Sequence, residues 1–192
     1  TNTSVKISML RKFFKAYGAN EEDLIFYLKD VNNNDNAQEV NTRHELFRRY
    51  WAFALPYIWI AHGNEMGHGC FSGRTTSSGD SLNGFFGIGG FSLACVANNN
   101  NARVDLRLAH SSKERNKEAF DYLYSYKAEI ETVLGMQIDW QRSDHTKSSY
   151  IVIHLGGVSI EEEADWTQMA KFHAEWSKKF YDVFVPYLKQ KY

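Results

Sequence analysis

The stretch GFSLACVANNNNARVDLRLA, residues 90–109, decides the fold. It contains two runs in which apolar and polar residues alternate, joined by four asparagines. Alternation with a period of two is typical of a strand with one buried face, and asparagine favours turns, so the stretch predicts a β-hairpin. Its second strand would carry apolar residues on the core side and charged residues on the other side: Val104, Leu106 and Leu108 against Arg103, Asp105 and Arg107.

The segment before the hairpin predicts a helix that faces the core. Thr42 and Glu45 have the spacing of a capping box, and apolar residues follow at helical intervals. We therefore expect a helix from residue 43 to about residue 61, with a kink near Pro56. The apolar stripe consists of Phe47, Tyr50, Trp51, Ala54 and Ile58.

The segment after the hairpin predicts a helix, two strands and a long final helix. Ser111 and Glu114 form a second capping box, and Gly135 ends the helical pattern. The runs QIDWQR and SSYIVIHLGG read as a strand pair, and residues 165 to about 190 as an aromatic amphipathic helix. The buried stripe of the first of these helices would be Ala119, Leu123, Tyr126, Ile130, Val133 and Leu134.

This order of elements predicts an α+β fold. We expect an antiparallel β-meander of about five strands packed against long helices. The asparagine-rich run VNNNDNAQEV favours a linker, which would separate a helical lead-in, residues 1–40, from an α+β domain, residues 41–192.

Composition limits the classes of partner. The 192 residues include 22 Lys and Arg against 23 Asp and Glu, so the net charge of −1 provides no general attraction to nucleic acid or to an anionic membrane. The two cysteines, Cys70 and Cys95, are typical of reduced thiols in a cytoplasmic protein. We expect no membrane association, since no apolar run reaches the roughly 20 residues of a span. The chain begins at Thr1 without a signal-peptide pattern, which suggests a trimmed chain or a fragment of a longer protein.

A glycine-rich stretch, HGNEMGHGC at residues 62–70, contains residue types that bind zinc. Four side chains could act as ligands: His62, Glu65, His68 and Cys70. Their spacing does not suit a helix, and no second His or Cys pair supports them. We therefore predict a loop here, and a protein with no metal and no cofactor.

A nuclease is the sharper catalytic alternative. Restriction-like nucleases place an Asp and then an acidic-x-Lys motif on adjacent strands to hold Mg²⁺. Asp80 followed by Asp105 and Arg107 is the nearest match, but arginine stands where lysine is expected. We therefore predict no catalysis, and a Mg²⁺-dependent nuclease if the chain is an enzyme.

Two other groups of residues could bind a ligand. A nucleic-acid surface would combine cations with stacking groups, namely Arg74, Arg103, Arg107, Tyr150 and His154, unless helices cover this face of the sheet.

Asn116 and Lys127 lie at the edge of a helical apolar stripe and could line a polar groove. Alternatively they are a capping asparagine and a snorkelling lysine. His173 lies within an apolar stripe and favours a core histidine.

From about Thr42 to Leu188 the chain resembles the bacterial family of domains of unknown function DUF4268. The match is carried by the motifs GIGG (87–90), ARVDLRL (102–108), Asn116-Lys117, Phe120-Asp121, KAEIETVLG (127–135), Trp140, SSYI (148–151) and Asp165-Trp166. Members of this family often accompany predicted restriction-like nucleases, so the resemblance implies a place in DNA processing or phage defence.

These observations predict a recognition or assembly module without catalysis of its own. DNA is the favoured partner, and a nuclease domain or another protein subunit is a further one. Two alternatives stay open: a divergent metal-dependent nuclease, and a protein-interaction module that docks through its aromatic C-terminal helix or its N-terminal helices.

Overall fold

A computed structural model describes residues 43–63 and 70–192. The predicted lead-in, residues 1–40, lies outside the described residues. In chain order the elements are α1 (Arg43–Ala61), β1 (Ser81–Gly84), β2 (Phe91–Ala97), β3 (Asn101–Leu108), α2 (Lys113–Tyr124), α3 (Lys127–Leu134), β4 (Asp139–Gln141), β5 (Ser149–Gly156), a 3₁₀ turn (Glu163–Asp165) and α4 (Trp166–Lys191).

The five strands form one antiparallel sheet in the order β1-β2-β3-β5-β4. The predicted α+β fold with an antiparallel sheet is therefore confirmed. The order differs from a simple meander at one place, because β5 pairs with β3 and β4 lies at the edge. The chain passes through α2 and α3, forms the edge strand first and then returns to the middle of the sheet.

The predicted hairpin is present, and it sets the two faces of the sheet. Leu93 lies opposite Leu106 and Cys95 opposite Val104, and all of them are fully buried. The turn between the strands is closed by the Asn98 amide, which donates to the Asn101 carbonyl at 2.9 Å. The Cys95 thiol donates to the carbonyl of His173 in α4 at 3.9 Å. This face is therefore buried, as the apolar alternation predicted, and it packs against α4.

Helices α1 and α4 pack against each other in a layer over that face. The predicted stripe of α1 is buried, with Tyr50, Trp51 and Ala54 fully enclosed. Tyr50 and His173 are hydrogen-bonded, hydroxyl to Nδ1, at 2.8 Å, and His173 Nε2 lies 3.0 Å from the carbonyl oxygen of Val96. Since a carbonyl only accepts, Nε2 carries the proton and Nδ1 accepts from Tyr50. His173 is a core histidine with both ring nitrogens paired.

The prediction of a single helix between Ser111 and Gly135 is wrong in two details. Its N-cap is Ser112, whose hydroxyl accepts from the Arg115 amide at 3.1 Å. The chain also breaks after Tyr124, and α3 begins at Lys127. The break changes the rotational phase of the helix, so the predicted core residues Tyr126 and Val133 are 37% and 67% exposed. Gly135 ends α3 in the left-handed conformation, with φ of 74°, as predicted.

Candidate functional site

The second face of the sheet carries polar side chains at the centre of the fold. The register pairs Arg103 with His154 and Arg107 with Tyr150, and Tyr150 in turn pairs with Gln141. Alternation places these side chains opposite the face that contacts α4. We call this the polar sheet face, and its members include Asn83, Arg103, Asp105, Arg107, Asp139, Gln141, Tyr150 and His154.

Asp105 is the buried centre of the polar sheet face. Asp105 is only 1% exposed, and its carboxylate accepts hydrogen bonds from two arginines. Arg103 Nε donates to both oxygens at 3.0 and 3.3 Å, whereas Arg107 Nε and Nη2 donate to Oδ2 at 3.3 and 3.2 Å. A buried carboxylate requires such partners, because the desolvation of an unpaired charge costs several kcal/mol. Asp105 therefore fixes both guanidinium groups on the sheet.

A recess of about 320 Å³ opens beside this cluster. Its lining consists of Arg103, Asp105, Arg107, Gln141, Tyr150, Val152 and His154. The side chains of Arg103, Arg107 and His154 are 33%, 23% and 45% exposed, so these cationic or basic groups can be reached from the recess. His154 Nε2 lies 3.8 Å from Asp139 Oδ2. The recess thus combines donors for an anion with an aromatic ring and an amide.

The structure brings together four of the five residues predicted for nucleic-acid binding. Arg74 is the exception: it does not line the recess, and its guanidinium lies over the ring of Phe85, 4.6 Å from the centroid. Three members were missed: Asn83, Asp139 and Gln141. Gln141 is found by extending the alternation from Asp139, whereas Asn83 lies in a stretch whose serines and glycines favoured a loop.

The candidate nuclease carboxylates lie on different sides of the sheet. The Asp80 carbonyl accepts from the Ala97 amide at 2.8 Å, which extends the β1–β2 register by one residue. Because Ala97 lies on the face towards α4, alternation directs the side chain of Asp80 away from the polar sheet face. Asp105 is enclosed by the two arginines. Within residues 43–63 and 70–192, no three His, Cys, Asp or Glu side chains are grouped in a way that could hold a metal ion.

Two of the four potential zinc ligands are described: Cys70 is buried and His62 is half-buried. His62 Nε2 lies 3.0 Å from the hydroxyl of Ser177, and desolvation, followed by the nearby charge of Lys178, lowers the pKa of His62 to about 4. Burial raises the pKa of the Cys70 thiol to about 12. Glu65 and His68 lie outside the described residues. Cys70 therefore belongs to the packed interior, and half-buried His62 contacts Ser177 of α4.

Asn116 and Lys127, the potential polar groove, have different surroundings. Asn116 is fully buried: its side-chain oxygen accepts from the His110 amide at 2.8 Å, and its nitrogen donates to the carbonyls of His110 and Lys147 at 2.9 and 3.1 Å. The side chain of Lys127 is 39% exposed, 4.0 Å from Glu131 and over the ring of Tyr124. The structure gives them no partner in common.

A buried lysine next to Asn116 was missed by the sequence reasoning. Lys117 is 7% exposed, and its ammonium group lies within 2.5–2.9 Å of three carbonyl oxygens, those of Arg142, Ser143 and Ser148. It also lies 2.9 Å from the hydroxyl of Ser149. Desolvation lowers the pKa of Lys117. This arrangement secures the connection between β4 and β5, which carries Tyr150 into the recess.

Comparison with known proteins yields one finding. The family model described as "Domain of unknown function (DUF4268)" matches residues 55–188. No curated protein and no solved structure is similar enough to the chain to count as a match. Within the described part of the chain, no helix has both the length and the apolarity that a membrane span requires.

Proposed function

Because the chain belongs to the DUF4268 family of domains of unknown function, we propose its function from its own geometry: it is a recognition module that binds DNA through the polar sheet face and has no catalysis of its own. One observation carries this proposal. The buried carboxylate of Asp105 holds Arg103 and Arg107 beside Tyr150 and His154 in a recess that is open to solvent.

The chemistry of the recess suits a nucleic acid. Guanidinium groups donate paired hydrogen bonds to phosphate oxygens, and aromatic rings stack on bases with little dependence on sequence. Tyr150 lines the same recess as Arg103 and Arg107, so a base on the ring would have its phosphate within reach of a cation. Side chains fixed before binding lose less conformational entropy when the ligand arrives.

The net charge of the chain limits how this binding should behave. With a charge of −1 there is no large positive field, so the affinity depends on the few cations of the recess. About two phosphates would be neutralised, for which the slope of log affinity against log salt is about −1.4 for a single strand. This is much shallower than for a protein with an extended basic surface.

DNA is preferred to RNA because the resemblance to modules that accompany restriction-like nucleases points to DNA. The absence of catalysis is proposed because Asp80 and Asp105 are directed to opposite sides of the sheet and Asp105 is already neutralised by two arginines. A carboxylate in that state is a poor ligand for Mg²⁺.

The test is a fluorescence-anisotropy titration of labelled single- and double-stranded DNA, with EDTA, at two salt concentrations. We expect binding that weakens with salt and is lost in the double variant Arg103→Ala, Arg107→Ala. The matched control is Arg48→Ala, which removes an exposed arginine of α1 whose described ion pair is with Glu45. Thermal unfolding of each variant shows that it is folded.

Two results would overturn the proposal. Absence of binding at low salt would exclude DNA as a partner of the chain and would favour an assembly module that binds a protein subunit. Exposed apolar side chains around α3, including Val133 and Met136, are available for such a role. Cleavage of DNA with Mg²⁺ that Asp105→Ala abolishes would restore the nuclease alternative.

A further inference from the structure

The two arginines of the polar sheet face are not equivalent. Arg107 donates through all three of its nitrogens, two to Asp105 and Nη1 to Asn83 at 3.1 Å. Arg103 contacts Asp105 through Nε alone, and no described residue accepts from its two terminal nitrogens. Of the five N–H groups of a guanidinium, Arg103 therefore keeps four for a ligand and Arg107 keeps two, so Arg103 is the main ligand-binding arginine and Arg107 chiefly keeps Asp105 and Asn83 in place.

The recess also has two chemically distinct ends. Arg103 and His154 pair across the strands at one end, and Arg107, Tyr150 and Gln141 align at the other. The two ends are four residues apart along the strand, about 13.6 Å at the backbone, and both guanidinium groups extend towards Asp105, which lies midway between them. One end presents the terminal nitrogens of Arg103 and the imidazole of His154, whose Nε2 lies 3.8 Å from Asp139 Oδ2. The other presents the ring of Tyr150 and the amide of Gln141, whose nitrogen donates to Asp139 at 2.5 Å and whose oxygen is left for a ligand. A nucleoside monophosphate has the same polarity, with its phosphate and its base on opposite sides of a sugar.

The volume of the recess limits the ligand to one such unit. At about 320 Å³ it is at the lower end of the range for small-molecule sites. Its floor consists of Val152 and Asp105, which are 3% and 1% exposed. We therefore expect a base that is separated from its neighbours to enter the recess, and a duplex to lie across its opening.

We propose that the recess binds one nucleotide unit of a single DNA strand, with the phosphate at Arg103 and His154, the base on the ring of Tyr150, and the base edge at Gln141. This inference rests on the proposed function and makes it more specific, since it separates the ligand-binding arginine from the positioning one.

The experiment measures displacement of a labelled oligothymidylate from the full chain by thymidine 5′-monophosphate, by thymidine and by inorganic phosphate. We expect the monophosphate to displace the strand at concentrations at least about tenfold lower than either fragment, because only the monophosphate occupies both ends. Arg103→Ala should weaken the monophosphate about 10- to 100-fold, as for a lost charged hydrogen bond.

Matched variants separate binding from folding. Tyr150→Phe keeps the ring and should bind nearly as wild type, whereas Tyr150→Leu should lose about fivefold or more. Arg103→Lys keeps the charge and most of the stem, and should bind between wild type and Arg103→Ala. Arg48→Ala should leave displacement unchanged, and thermal unfolding monitors the fold of each variant.

The outcomes distinguish this inference from the proposed function. Oligothymidylate that binds but is not displaced by millimolar monophosphate would overturn the one-nucleotide inference and leave DNA binding by the face intact. Displacement that is indifferent to Arg103→Ala and Tyr150→Leu would also overturn it, since the site would lie elsewhere. Oligonucleotides that do not bind at all would overturn the proposed function itself.

Discussion

Lys117 is a buried cation whose ammonium group lies among the backbone carbonyl oxygens of the connection between β4 and β5. Its ammonium group has three donors, and four oxygens lie within 2.9 Å of it. The neighbouring Asn116 bonds the turn before α2 on one side and Lys147 on the other. The Asn116-Lys117 pair, which carries part of the family resemblance, therefore joins two loops to one helix.

Replacement of Lys117 by methionine should destabilise the fold. Methionine keeps the length and leaves buried carbonyls without a donor, which we expect to lower the free energy of unfolding by about 3 kcal/mol. The measurement is urea unfolding, with Lys113→Met as the control, since Lys113 is an exposed lysine one turn earlier in α2. A change below 0.5 kcal/mol would show that water replaces the ammonium group.

The contrast between Arg103 and Lys117 shows what residue patterns can and cannot predict. Arg103 was assigned correctly to the polar sheet face because alternation along a strand is a local property. Lys117 was missed because a lysine in a helix normally lies in solvent. Its burial depends on carbonyls of residues 142–148, which are distant in sequence and are brought close by the fold. Asp105 was predicted to lie on the charged face, but its nearly complete burial also depends on tertiary packing.

At the scale of elements, two glycines stop or turn the chain for different reasons. Gly135 adopts φ of 74° at the end of α3, and a Cβ there would meet no atom within 4 Å. Gly90 precedes β2 with φ of 82°, and a Cβ there would overlap the backbone of His110, whose nitrogen would be only 2.8 Å away. The first needs glycine for its dihedral angle, whereas the second needs it for both the angle and the space.

Alanine substitutions should separate these two costs. We expect Gly135→Ala to lower the free energy of unfolding by about 1–2 kcal/mol, the cost of a left-handed alanine. Gly90→Ala should cost about 2–5 kcal/mol, since displacement of the packed backbone adds to that cost. Thermal or urea unfolding of the two variants gives the comparison. If both variants lost the same free energy of unfolding, the backbone around His110 would have to move aside at little cost.

The break between α2 and α3 could not be predicted from helical periodicity. The residues on either side are good helix formers, so the pattern is continuous across the break. In the fold, the Tyr126 amide donates to the carbonyl of Leu123, and the Ser125 hydroxyl donates to that of Tyr122. Local bonds of this kind end α2, and packing against α4 then fixes the direction of α3. By contrast, α1 was predicted to within a residue, because its apolar stripe is uninterrupted.

For the whole molecule, a buried histidine should make stability depend on pH. Desolvation lowers the pKa of His173 to about 4, below the value of about 6.5 expected in the unfolded chain. Above pH 6.5 His173 is neutral in both the folded and the unfolded state, so it causes no change in the free energy of unfolding. As the pH falls from 6.5 to 4, only the unfolded state binds a proton, so the free energy of unfolding should fall by about 3 kcal/mol from this group.

Urea unfolding between pH 7.5 and 4 measures this effect, and His173→Gln isolates it. Glutamine can donate to the Val96 carbonyl and accept from Tyr50 without titrating, so the variant should show a shallower decline, whatever its stability at pH 7. The pKa of the half-buried His62 is also lowered to about 4, so this residue should likewise reduce stability as the pH falls, and some slope should remain. A variant whose slope equals that of the wild type would show that His173 does not cause the pH dependence.

The two edge strands of the sheet are short. β1 has four residues and β4 has three, whereas the three inner strands have seven or eight. Each border of the sheet therefore exposes few unpaired backbone groups, and short borders discourage strand-by-strand aggregation between molecules. A partner strand that added to β1 or β4 by β-augmentation would therefore find few backbone groups to pair with in the described sheet. It would have to recognise the side chains displayed on a face, so specificity can change by single substitutions there while the sheet is preserved.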